Sequence, residues 1–165
     1  MGKTLIVYYG TSGITEMMAQ YIAEGVRIAG HEADVKHIDN IKGPRDLSGY
    51  DGHIFGSATY HLGIPQPFEA FLNVAGQSDL RGKAGGAFSS RAHPSSGEES
   101  VAALVFDRME SFFNMKMTNL GPFDLKPEWL EGGKPALIER REGMRACQDY
   151  GKAVGEMLTN KAGSL

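Results

Sequence analysis

The chain has 165 residues, 41% of them hydrophobic and 22% charged, a balance typical of one globular domain with a substantial core. Its net charge of −3 argues against nucleic acid as a partner, because such binding usually needs a concentrated basic face. The single cysteine, Cys147, excludes an intrachain disulfide and a cysteine-based zinc site. We expect one cytoplasmic domain over residues 1–165, without a signal peptide or a membrane-spanning run.

Apolar runs and segments with helical spacing alternate along the chain. The first run, KTLIVYY at residues 3–9, is typical of a strand buried on both faces. Met18, Ile22 and Val26 then recur every four residues, which predicts a helix that ends near Gly30. In chain order, we predict a strand at 3–9, a helix at 15–29, strands at 33–38 and 52–57, a helix at 67–74, a strand at 83–89, a helix at 98–113, a fifth strand at 117–121 with 136–138 nearby, and a closing helix at 142–158.

This alternation predicts an α/β fold: a doubly wound, five-stranded parallel sheet with helices on both faces. Right-handed crossovers and the number of strands favour the order 2-1-3-4-5. In such sheets a ligand binds at the carboxyl ends of the strands, beside the first strand. The loops that leave strands one, three and four, at residues 10–15, 58–63 and 90–97, are therefore where a site is expected.

The loop after the first strand, GTSGIT at residues 10–15, leads directly into a helix. A helix N-terminus offers unpaired N–H groups and partial positive charge, and small residues let a phosphate approach the backbone. The hydroxyls of Thr11, Ser12 and Thr15 can donate further hydrogen bonds. No lysine and no G-x-G-x-x-G pattern is present, which excludes a triphosphate loop and a dinucleotide fingerprint. Taken alone, Thr11 or Ser12 could instead simply cap the helix.

Three loops together resemble the flavodoxin family. GTSGIT resembles the family's phosphate signature, with Gly10 where serine or threonine is usual and Ile14 where asparagine is common. GSATYHLG, after the third strand, resembles the segment that covers one side of the isoalloxazine ring, with Ala58 in place of proline. The serine-rich loop after the fourth strand matches the one that wraps the pyrimidine edge. Taken alone, Tyr60 and His61 would be ordinary loop residues.

The resemblance implies FMN as the cofactor, and we assign no catalytic side chain. No histidine has a partner at metal-ligand spacing, so no metal site is expected. The serines Ser95 and Ser96 are better explained as a cap of the following helix. The residues that the resemblance assigns to FMN are Gly10, Thr11, Ser12, Gly13, Ile14, Thr15, Ala58, Thr59, Tyr60, His61, Leu62, Gly63, Ser89, Ser90, Arg91, Ala92, His93 and Gly97.

Two functions are compatible with this resemblance. The favoured one is an electron-transfer protein that shuttles electrons between redox partners, because the chain lacks the long insertions of the quinone-reductase type. The alternative is an FMN-dependent NAD(P)H:quinone oxidoreductase, which the fourth-strand loop resembles and the weak net charge favours. A third possibility is an FMN domain whose redox role depends on a partner protein. Expected partners are redox proteins, or NAD(P)H and quinone, with no nucleic acid and no membrane; a monomer or a homo-oligomer would be compatible.

Overall fold

The computed structural model describes residues 1–11, 13–59, 63–91, 100–125 and 141–163. For Arg91 and residues 161–163 it describes only the backbone. Two short 3-10 turns, Ile38–Asn40 and Pro44–Leu47, link the second and third strands. The strands are β1 (Lys3–Tyr9), β2 (Glu32–His37), β3 (Gly52–Thr59), β4 (Ala84–Arg91), β5 (Lys116–Met117) and β6 (Phe123–Asp124). The helices are α1 (Ile14–Ile28), α2 (Gln66–Ala75), α3 (Val101–Ser111) and α4 (Arg141–Gly163).

All the described strands join one parallel sheet in the order β2-β1-β3-β4-β5, and β6 also pairs with β4. This confirms the predicted fold class and strand order. The predicted fifth strand at 117–121 was wrong in extent. Only Met117 of that segment is in a strand, because the chain turns at 119–120 and Gly121 takes a left-handed φ of 76°. Pairing with β4 resumes at Phe123, and residues 136–138 lie outside the described part of the chain.

The interruption between β5 and β6 leaves the backbone of Ala87 without a strand partner on that side, and the hydroxyl of Tyr150 in α4 fills the gap. It accepts a hydrogen bond from the Ala87 N–H at 3.0 Å and donates to the Gly121 carbonyl at 2.7 Å. The Tyr150 ring also stacks on Phe123, with ring centroids 5.2 Å apart. The Tyr150 hydroxyl thus takes the place of a strand partner between β5 and β6.

The start of α3 also differs from the prediction. Ser100 has an extended backbone, and its hydroxyl accepts a hydrogen bond from the Ala103 N–H at 3.0 Å, so Ser100 is the N-cap. The helix therefore begins at Val101, not at residue 98 as predicted. Ser95 and Ser96, the serines expected to cap this helix, lie outside the described residues.

Side chains alternate across the strands and build two cores. On one face, Ile6 and Ile54 pack against α1 and α4; on the other, Leu5, Val7 and Phe55 pack against α2 and α3. This is the pattern expected of a parallel sheet covered on both sides. Among the helices in the described ranges, none has the length and apolar character to cross a bilayer.

The helices α1 and α4 cross at backbone contact distance. A Cβ on Gly25 would lie 1.9 Å from the carbonyl oxygen of Gln148, and a Cβ on Gly151 would lie 1.8 Å from that of Ile22. Neither position can accept any side chain without separating the helices. The contact therefore fixes the C-terminal half of α1 against α4.

Candidate functional site

The carboxyl ends of β1, β3 and β4 lie side by side. Tyr9 at the end of β1 pairs with Ser57, and Thr59 at the end of β3 pairs with Arg91, the last residue of β4. The segments that leave these strands therefore start from one edge of the sheet. This is the arrangement that the sequence predicted for the site. Of the predicted site residues, Ser12, Tyr60, His61, Leu62, Ala92, His93 and Gly97 lie outside the described residues, as does the side chain of Arg91.

Gly13 is the N-cap of α1 and has a left-handed φ of 87°, a conformation that glycine adopts without strain. As a glycine, the N-cap residue makes no side-chain hydrogen bond to the first turn. The first intrahelical bond runs from the Met17 N–H to the Gly13 carbonyl, which leaves the N–H groups of Ile14, Thr15 and Glu16 without partners inside the helix. A Cβ on Gly13 would meet no atom of the described residues within 4 Å. Open space thus adjoins a helix end that favours an anion.

The side chains in this loop divide between the surface and the core. Thr11 is exposed, whereas Ile14 packs into the core between α1 and α4, so only its backbone can serve the site. Thr15 is fully buried, and its hydroxyl lies 2.9 Å from the hydroxyl of Ser90 in β4. The sequence predicted Thr15 as a phosphate donor, and this stays a prediction; among the described residues its hydroxyl contacts Ser90.

The end of β3 carries a buried hydroxyl that has no hydrogen-bond partner. Ala58 is 5% exposed, and the Oγ1 atom of the next residue, Thr59, is buried and unpaired within the described structure. Such a group normally has a partner, so an unpaired one at this edge fits a bound polar ligand. Together with the open helix start at Gly13, it makes the edge compatible with FMN, which has a phosphate and a polar ring. Gly63, exposed and with φ 79°, begins the described chain beyond this loop.

Two consecutive serines at the end of β4 serve opposite faces of the sheet. The Ser89 hydroxyl accepts from the Ala102 N–H at 3.2 Å and donates to a carboxylate oxygen of Asp124 in β6. Ser90 faces α1 through its contact with Thr15. The Ser89 side chain is thus engaged in holding α3 and β6. The sequence analysis predicted neither Asp124 nor Ser100 at this edge. Ser100 could have been found, because a serine directly before an apolar helical run is a typical N-cap. No comparable sequence signal marked Asp124.

Glu16 and Tyr8 form a hydrogen-bonded pair near the start of α1. Burial, followed by the charge of Glu16 and a hydrogen bond to its carboxylate, raises the pKa of Tyr8. The tyrosine hydroxyl therefore stays protonated and donates to Glu16, the acidic residue of the first turn of α1. The ring of Tyr8 also meets His37 edge to face at 5.2 Å between centroids. This gives Glu16 a partner other than the helix N–H groups.

Two titratable groups away from this edge are part of the core. Burial lowers the pKa of His53 to about 4, and its Nε2 donates to the Leu47 carbonyl at 2.9 Å. Burial raises the pKa of Cys147 to about 12, so its thiol is unreactive at neutral pH. In the described ranges, no three His, Cys, Asp or Glu side chains are grouped as metal ligands would be.

The chain is similar to known proteins in both sequence and fold. The sequence model of the flavodoxin family matches residues 6–122. An NAD(P)H dehydrogenase (quinone) of Cupriavidus metallidurans is 33% identical over 144 residues, covering 73% of this chain and 71% of its own length. Another, of Gluconacetobacter diazotrophicus, is 29% identical over 180 residues, covering 90% and 89%. A solved flavodoxin from the domain Archaea has a TM-score of 0.78 at 23% identity, covering 95% of this chain and 99% of its own, a likeness of fold alone.

Proposed function

We propose a specific redox function for this chain from an established premise: the chain belongs to the flavodoxin family. Its cofactor is FMN, and its function is of the FMN redox type. When bound, FMN supplies both one-electron and two-electron transfer chemistry, while the protein controls its binding and access. The part left to this chain's residues is to hold the phosphate, orient the ring and set the surroundings of its polar edge.

We assign the phosphate to the start of α1. The N–H groups of Ile14, Thr15 and Glu16 have no partner inside the helix, and Gly13 leaves the approach open. The exposed hydroxyl-bearing residue Thr11 adjoins them. We assign the ring to the exits of β3 and β4, where the unpaired hydroxyl of Thr59 is the described polar group that supports the assignment.

The phosphate assignment is tested with Gly13→Ala. A side chain at φ 87° is strained, so the loop should shift and the N–H groups should lose their alignment. We expect FMN affinity to fall roughly tenfold or more while riboflavin, which lacks the phosphate, is bound almost as before. Fluorescence quenching of the two flavins measures both constants. An equal loss for the two ligands would place the phosphate elsewhere.

For the finer function we propose an electron carrier that docks donor and acceptor proteins in turn. The observation that carries this proposal is a difference in length. The match to the Gluconacetobacter protein runs over 180 positions, although this chain has only 165 residues, so that relative has segments that this chain lacks. A carrier needs an exposed cofactor edge and no second substrate pocket, which a single sheet with its covering helices can supply.

A second candidate is an FMN-dependent NAD(P)H:quinone oxidoreductase. It is favoured by the names of the two relatives, which are 33% and 29% identical to this chain. The two candidates differ in what must bind directly at the flavin. An oxidoreductase has to bind a nicotinamide against the ring, whereas a carrier receives electrons through its surface.

Stopped-flow reduction of the FMN-loaded protein separates the candidates. With a carrier, millimolar NADH or NADPH reduces the flavin slowly, over minutes, while a one-electron donor such as reduced methyl viologen does so within the first second. Reduction by NADH or NADPH at many turnovers per second, followed by reoxidation with a soluble benzoquinone, would establish the oxidoreductase and overturn the carrier. Free FMN at the same concentration is the control for reduction outside the protein.

A further inference from the structure

A tyrosine at the end of β1 and a glutamate at the start of α1 meet beside the helix end to which we assign the phosphate. Tyr8 is the second-last residue of β1, and Glu16 is the third residue of α1, after the N-cap Gly13. The Tyr8 hydroxyl donates a hydrogen bond to the Glu16 carboxylate. Glu16 is exposed, whereas Tyr8 is half-buried against the core between α1 and α4. A packed ring thus binds a side chain that solvent alone would leave free to rotate.

The position of the Tyr8 ring is set by contacts outside the first turn of α1. Its backbone pairs with His37 in β2 and with Gly56 in β3, so Tyr8 lies in an inner strand of the sheet. Its ring meets the imidazole of His37 edge to face, with centroids 5.2 Å apart. The hydroxyl therefore offers Glu16 a hydrogen-bond donor whose place is fixed by the sheet.

A glutamate at the third position of a helix has another partner within reach. It can fold back and accept a hydrogen bond from the N–H of the N-cap residue. In α1 this would bring the Glu16 carboxylate to Gly13, beside the N–H groups of Ile14 and Thr15, which have no partner inside the helix. A carboxylate there would take up donors that a phosphate needs and would repel the phosphate by its charge. A folded-back Glu16 and a bound phosphate therefore exclude each other.

We propose that Tyr8 is a positioning residue for FMN: its hydroxyl holds the Glu16 carboxylate away from the start of α1, so that this helix end stays open for the phosphate. Tyr8 acts through Glu16 and needs no contact of its own with the cofactor. The inference rests on the phosphate assignment made under the proposed function. Its effect is specific to the phosphate, because a folded-back carboxylate competes with FMN but not with riboflavin.

The test compares the affinities of Tyr8→Phe for FMN and riboflavin, measured by fluorescence quenching. This change keeps the ring and removes only the hydroxyl. We expect FMN to bind roughly three- to thirtyfold more weakly, the range for a helix cap that must be displaced, while riboflavin binds almost as before. In the double variant Tyr8→Phe/Glu16→Ala no carboxylate can fold back, so FMN affinity should return to that of Glu16→Ala alone.

The matched control is Tyr50→Phe, which removes the same kind of hydrogen bond elsewhere. The Tyr50 hydroxyl donates to the Asp34 carboxylate at 2.7 Å. Tyr50 precedes β3, which begins at Gly52, and therefore lies at the opposite edge of the sheet from the strand exits. Tyr50→Phe should leave the affinities for both flavins unchanged.

A second measurement follows Glu16 without any cofactor. If the carboxylate folds back in Tyr8→Phe, the Gly13 amide of the apo protein should exchange its hydrogen more slowly than in the wild type. The double variant with Glu16→Ala should lose this protection. Urea unfolding of each apo variant shows whether it is folded.

Four results would each overturn the inference. These are wild-type FMN affinity in Tyr8→Phe, equal losses for FMN and riboflavin, a double variant that binds FMN as weakly as Tyr8→Phe, and no added protection of the Gly13 amide. In all four the wild-type chain still binds FMN. Failure of the wild-type chain to bind FMN at all would instead refute the proposed function, so the two failures are distinguishable.

Discussion

The two faces of the sheet are packed in different ways. On the α1–α4 face, backbone meets backbone, since Gly25 and Gly151 leave no room for a side chain. On the α2–α3 face, aromatic rings fill the space: His53, Phe55 and Phe71 form a series of edge-to-face contacts with centroids 6.0 and 5.0 Å apart. The first face holds the helix that carries the phosphate assignment. Side chains can repack, whereas a backbone carbonyl cannot move aside. We therefore expect α1 to be held more rigidly than the helices of the other face.

The largest effect is expected from breaking the backbone contact with Gly151→Ala. The new Cβ would meet the carbonyl oxygen of Ile22, which cannot rotate away, so α4 must move off α1. We expect a loss of at least about 4 kcal/mol in the free energy of unfolding, or no folding at all. Urea denaturation of the apo protein measures it.

The control for that change is Gly43→Ala. Gly43 has an extended backbone, and an added Cβ would have no neighbour within 4 Å in the part of the chain that the structure describes, so its replacement should cost less than about 0.5 kcal/mol. If both variants lose the same stability, the glycine contact between α1 and α4 has no special role, and the contrast between the two faces fails.

The α2–α3 face, called the aromatic face below, should show the next largest effect, as a dependence of the free energy of unfolding on pH. The folded state lowers the pKa of His53 from 6.5 to about 4, so below pH 6.5 the unfolded chain binds a proton that the folded chain does not. Stability is therefore fully present above about pH 6.5 and falls as the pH drops toward 4. The loss is on the order of 2–3 kcal/mol at this single buried residue.

His53→Phe isolates this effect, because it keeps a ring beside Phe55 but cannot titrate. Urea unfolding at pH 7.5 and 4.5 should show a smaller loss on acidification in the variant than in the wild type. An identical loss in both proteins would mean that His53 is not the group responsible and that the aromatic face is no more sensitive to pH than the other.

A smaller effect is expected where α4 replaces a strand partner. Tyr150→Phe keeps the ring stacked on Phe123 but removes the hydroxyl from the Ala87 N–H and the Gly121 carbonyl. One or both groups then stay buried without a partner, at a cost of about 1–2 kcal/mol. Hydrogen exchange at the Ala87 amide should accelerate more than at amides of β1. Unchanged exchange there would show that water takes the place of the hydroxyl.

The smallest effect belongs to the surface of the aromatic face, where Arg108 in α3 and Glu69 in α2 form an ion pair at 2.6 Å. Both side chains are about a third exposed, so solvent screens the pair. Arg108→Met should lower the free energy of unfolding by about 0.5 kcal/mol and should lose this difference in 1 M salt. A loss above about 2 kcal/mol would show that this pair, and not ring packing, holds α2 to α3.

The sequence predicted the repeating parts of the structure well. Continuous apolar runs and four-residue spacing identified β1 and α1 to within a residue, because burial of a whole strand or a helix face imposes such patterns locally. The split between β5 and β6 was missed, since two-residue strands leave too little pattern to read and depend on pairing with β4. The capping role of Ser100 was also missed, although a serine before an apolar run was visible in the sequence.

The candidate site also has features that the sequence predicts and features that only tertiary contacts set. By itself, the sequence determined that the exits of β1, β3 and β4 share one edge of the sheet, and it predicted Gly13 as a residue that lets a phosphate approach, because strand alternation and small residues after a strand are local signals. Only the tertiary structure decided that Thr15 turns to Ser90, a residue 75 positions away, and that α1 lies against α4 without side chains between them. Contacts between distant segments depend on how the helices pack on the sheet, and this packing cannot be predicted from local periodicity.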